Sequence, residues 1–65
     1  MELKMNDYEE KRERIIKNLE MKFNKAGIPG VWAHNAARRV VDMWEKSDRS
    51  KESFEKAVYT VYRGL

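Results

Sequence analysis

The chain has 65 residues, 42% hydrophobic and 38% charged, with 14 Lys and Arg against 11 Asp and Glu and a formal net charge of +3. So short a chain holds one domain, and a domain of this size buries only about 60% of the surface its unfolded chain exposes, which leaves little room for an enclosed active site. Cysteine is absent, which excludes a disulfide framework, a thiolate metal site and a cysteine nucleophile; the two Trp, three Tyr and two Phe argue equally against a disordered polar tail.

The opening "MELKMNDYEEKRER" lacks the apolar stretch of a signal peptide. No later run approaches the roughly 20 apolar residues of a spanning helix, so a cytoplasmic chain with no membrane partner is expected. Residues 1–5 are expected to fray, and the first helix to run from about 6 to 26. Asn6 followed by Glu9 resembles a capping box, and Asp7, Glu9 and Glu10 put acid in the first turn. At about 100° per residue, Met5, Tyr8, Ile15, Ile16, Leu19, Phe23 and Ala26 share one stripe. Gly27 suits the left-handed position after a helix, Ile28 can pack back on Phe23, and Pro29 blocks continuation.

A second helix is expected over about 30–46. Its apolar arc, Trp32, Ala33, Ala36, Ala37, Val40, Val41, Met43 and Trp44, covers half the circumference, with the alanines allowing close approach and the tryptophans filling the ends. Arg38 with Asp42, and Asp42 with Lys46, have the i,i+4 spacing of a solvated charged face. The joint "SDRS" is polar and lacks glycine, and Asp48 or Ser50 can cap a third helix over about 50–63. Phe54, Ala57, Val58, Val61 and Tyr62 form its stripe, which Leu65 can extend. Three stripes joined by short connections predict an all-α, compact three-helix domain spanning 1–65. A core this thin is compatible with self-association.

Nothing in the pattern points to catalysis, a cofactor or a metal. His34 is the one histidine, and no Glu-His spacing of the catalytic or zinc-binding kind accompanies it, so it reads as a boundary residue beside the arc of helix 2. The carboxylates are scattered among lysines, and "GIPG" is a turn rather than a phosphate loop. A non-enzymatic binding module is therefore expected, of the kind found among small phage or microbial accessory proteins.

Two surfaces suit such a role. Met21 on the back of helix 1, Tyr59 on the back of helix 3 and Trp32 at the edge of its arc are protein-docking candidates, because exposed Met, Tyr and Trp bury much area for little entropy. Trp32 reads as core before it reads as a docking residue, since a small bundle needs its aromatics, and Met21 and Tyr59 are the better docking candidates. The expected role is an accessory or regulatory factor docking on a larger protein assembly. The alternative is direct, largely sequence-independent binding of DNA or RNA. Lys11, Arg14, Lys22 and Lys25 share one flank of helix 1 opposite Glu9, Glu13 and Glu20, and they could pool with Arg38 and Arg39 of helix 2. Helix–turn–helix pairings fit poorly: helix 1 is long with Phe23 near the turn, and helix 3 would carry Glu52 and Glu55 into the groove.

Overall fold

The computed structural model describes residues 7–65. It contains three α-helices, α1 (Asp7–Lys25), α2 (Gly30–Glu45) and α3 (Lys51–Arg63), and no strand among the described residues. Expected and observed boundaries agree to within a residue wherever both fall in this range. The Asn6 cap, Met5 and the fraying of residues 1–5 lie outside the described residues.

The ends of the helices follow from local chemistry. At the end of α1, Gly27 adopts φ +99°. The Ile28 amide donates to the Phe23 carbonyl and the Gly27 amide to Asn24, each at 3.0 Å, the paired bonds of a Schellman ending. Helix α2 starts after Pro29 without a side-chain cap. The joint to α3 is held by side chains: Ser50 caps α3 by accepting from the Ser53 amide at 3.1 Å. Asp48 accepts from the Ser50 amide at 3.0 Å and from the Ser53 hydroxyl at 2.5 Å. Arg49 takes φ +59°, a left-handed conformation uncommon for a side-chain-bearing residue.

Helix α2 is the central element. The α1 and α3 backbones each pack on it, whereas among the described residues they do not approach one another to within 8 Å between Cα atoms. The buried core consists of Ile16, Leu19 and Phe23 from α1, Ala33, Ala36, Ala37, Val40 and Val41 from α2, and Ala57 and Val61 from α3. Ile15, Ile28, Phe54 and Val58 pack around it, half-buried. Small residues on α2 let both neighbours lie close, and longer side chains fill the gap between α1 and α3. Phe23 stacks on Tyr62 with centroids 6.3 Å apart, while Phe54 meets Trp44 edge-on at 5.5 Å. Trp44 completes that corner by donating its indole N–H to the Ser50 carbonyl at 2.8 Å.

Three expectations about packing are corrected. Trp32 is not core: it is 63% exposed, and Met43 is exposed as well. Two neighbouring helices cover a narrower arc of α2 than its apolar residues span, so the outer edge of that arc is left in solvent. Tyr8 and Ala26 likewise leave the α1 stripe for the surface. Asp42 does not rely on its own helix for a partner, because Arg12 of α1 reaches it at 2.7 Å.

Candidate docking surface

Short connections make α1 and α2 antiparallel, and α2 and α3 antiparallel in turn, so the molecule has two chemically different ends. At one end, the start of α1 meets the end of α2 and the Ser47–Ser50 joint. Arg12 binds Glu45 at 2.9 Å as well as Asp42, and the Tyr8 hydroxyl donates to the same Glu45 carboxylate. The Arg49 guanidinium lies 5.4 Å from the centre of the Tyr8 ring, and its Nε is 3.4 Å from the Glu45 carbonyl. These contacts set the titration of the cluster. Donation from the Tyr8 hydroxyl, then from the Arg12 guanidinium, holds Glu45 below the usual carboxylate range, and the same bond pushes the Tyr8 phenol up. Asp48 is lowered by the Ser53 hydroxyl and the Ser50 amide.

The other end is built from the last turn of α1, the first turns of α2 and the last turns of α3. Here lie Met21 (57% exposed), Trp32 (63%) and Tyr59 (62%), the three residues singled out as docking candidates. They ring the end rather than sharing one flat face: Met21 is on the back of α1 and Tyr59 on the back of α3, each opposite the buried stripe of its helix. Val31, Tyr62 and Leu65 are exposed between and beside them. Among the described residues, the two remaining exposed large hydrophobic side chains, Tyr8 and Met43, belong to the opposite half. The Arg63 guanidinium sits 5.5 Å from the centre of the Tyr59 ring and, with Thr60 and Gly64, borders a shallow depression.

The acids thin out in the segments that form this end, where Glu20, next to Met21 and 3.3 Å from His34, is the nearest one. No Asp or Glu occurs from Met21 to Val41, nor from Lys56 to Leu65, and these segments carry Lys22, Lys25, Arg38, Arg39, Lys56 and Arg63. All eleven carboxylates fall in the rest of the chain, where they outnumber the cations. Periodicity assigns Tyr62 and Leu65 to the α3 stripe and passes over Val31. The gap in the acids was the signal in the sequence that could have found this end.

The six cations proposed for nucleic acid are all exposed but lie on different flanks. Lys11 borders Trp44 and Tyr8, and Lys22 borders Phe54, so both sit on the side of α1 turned toward α3. Arg14 lies with Glu10, Glu13 and Lys17 along a trough that leads to His34. His34 Nδ1 is 3.3 Å from Glu20 Oε1, which places the acidic flank of α1 against α2. Arg38, one turn after His34, therefore projects on that acidic side rather than beside Lys11 and Lys22. Arg39 and Lys25 occupy the outer faces of α2 and α1.

Comparison with protein families, with curated proteins and with solved structures finds no match to this chain.

Proposed function

We propose that this chain is a non-enzymatic docking module, an accessory or regulatory factor that acts in the cytoplasm by engaging a larger protein assembly. The observation that carries this reading is the gathering of Met21, Val31, Trp32, Tyr59, Tyr62 and Leu65 at one end of so small a domain. Single exposed apolar residues are ordinary, but six around one end, including a tryptophan at the first turn of a helix, supply the side-chain types that interface centres use. Trp32 is the anchor, with Met21 and Tyr59 at the rim.

Retention of the assembly from a lysate of the source cells tests the reading. Trp32→Ala, and separately Met21→Glu with Tyr59→Ala, should abolish retention while leaving the helical content unchanged. Retention by the folded variants would remove this surface from consideration.

One observation favours a second reading, in which the chain binds DNA or RNA. The carboxylate-free segments combine cations with exposed aromatic rings, a pairing used to hold single strands. Such binding would weaken steeply with salt, and Arg38 and Arg39 are the first charges to neutralise in testing it.

A further inference from the structure

The geometry points to the chemistry of the partner: we infer that the exposed apolar end of the three-helix domain docks an acidic protein surface, in which carboxylates rim an apolar pocket. The inference rests on the docking reading above. It adds what the end selects for.

Charge decides against one alternative at once. The three turns that meet at this end, 22–25, 30–33 and 60–63, contain Lys22, Lys25 and Arg63 and no Asp or Glu, and the acid bordering them, Glu20, is engaged by His34 at 3.3 Å. Their sum equals the formal net charge of the whole chain, +3. Two copies meeting end to end through this surface would bring like charges together while desolvating them, which is unfavourable. A partner whose rim is acidic turns the same charges into steering and register.

A nucleic acid would satisfy the cations but not the rest of the surface. Val31, Met21 and Leu65 are aliphatic or thioether side chains with no use against phosphates, and Val31 is 73% exposed. Base stacking needs free aromatic faces. Tyr62 gives one face to Phe23, and Arg63 lies over one face of the Tyr59 ring, so among the described residues Trp32 is the ring of the three without such a neighbour. An apolar pocket in a protein uses Trp32 and its aliphatic neighbours together, and the carboxylate rim uses Lys22, Lys25 and Arg63.

The test uses two synthetic helical peptides that share one leucine- and phenylalanine-rich face. The first carries glutamate on its other face, the second lysine at the same positions. Each is titrated into isotope-labelled protein and followed by backbone amide shifts, with a single-stranded oligonucleotide as a third probe. The glutamate peptide should bind saturably, with shifts confined to residues 21–34 and 59–65, and about tenfold or more tighter than the lysine peptide. Lys25→Glu with Arg63→Glu should erase that preference while the remaining amide spectrum shows an intact fold.

Equal binding of both peptides at this end would overturn the charge selection and leave the docking surface standing. Shifts elsewhere, or no binding by either peptide, would overturn both. Tighter binding of the oligonucleotide at these same residues would replace the acidic protein with nucleic acid.

Discussion

Arg12 and Glu45 stand 33 residues apart in the chain and 2.9 Å apart in the fold. Their bond ties the start of α1 to the end of α2, and Tyr8 adds a second donor to the same carboxylate. Both side chains are largely sheltered, 25% and 20% exposed, whereas Asp42 on the other branch of Arg12 is 54% exposed. Loss of Glu45 should therefore cost more than loss of Asp42. Arg12→Ala is expected to destabilise by about 1–2 kcal/mol, and Glu45→Ala by a comparable amount, with Asp42→Ala below about 1 kcal/mol. Thermal unfolding of the three variants gives the ranking directly. An equal effect for Glu45 and Asp42 would show that exposure does not govern this cluster.

The same carboxylate sets an acid limit. Glu45 and Asp48 are both held below their ordinary range by donors present only in the fold. A carboxyl group depressed in the folded state contributes stability above its unfolded value, and that contribution is lost as the pH falls through the folded value. Stability should thus be level near neutrality and fall as the pH drops below about 4. Glu45→Gln with Asp48→Asn should flatten that fall. Urea midpoints measured across the acid range decide the point.

At the turn between α1 and α2, Gly27 has φ +99°, and an added Cβ would meet no atom within 4 Å. The position is restricted by backbone conformation alone. Gly27→Ala should cost about 1–2 kcal/mol through strain at positive φ, with no loss of packing. Chemical denaturation with an unchanged slope would confirm that origin.

The close approach of α1 to α2 depends on small side chains. Ala37 is fully buried between its neighbours, and Val40 and Val41 are the largest side chains sealed completely. Ala37→Leu should overpack this layer and destabilise by about 1–3 kcal/mol. Val40→Ala should cost about 2 kcal/mol through the cavity left behind. Each is a large share of the stability available to a domain of this length, so both variants should melt well below the parent.

Much of this fold is legible in the sequence, for identifiable reasons. Gly27, Ile28 and Pro29 announce a helix ending whose hydrogen bonds are then found. Ser50 is one of the two caps expected for α3. The buried members of each stripe follow from 3.6-residue spacing. What periodicity cannot supply is how much of a wide arc the neighbours will cover, and this is why Trp32 and Met43 end in solvent. Nor can it pair side chains between helices. Asp42 had suitable partners at i−4 and i+4, and Arg12, from another helix, took it. The left-handed Arg49 was equally hidden, since a joint without glycine gives no sign of positive φ. The exposure of Met21 and Tyr59 was legible from their helix faces, whereas Trp32 read as core before it read as surface. The unity of the candidate site as one end of the molecule came only from the antiparallel layout, although the missing carboxylates had marked it in the chain.

The proposed docking of a protein partner at this end, centred on Trp32, can be read out in the cell. The most direct measurement places a photo-crosslinking amino acid at position 32 and, separately, at position 17 on the mixed-charge side of α1, in the cells that make the protein. Docking through Trp32 predicts a single discrete crosslinked protein from position 32 and none from position 17. Crosslinking from position 17 alone, or none from either site, would contradict it.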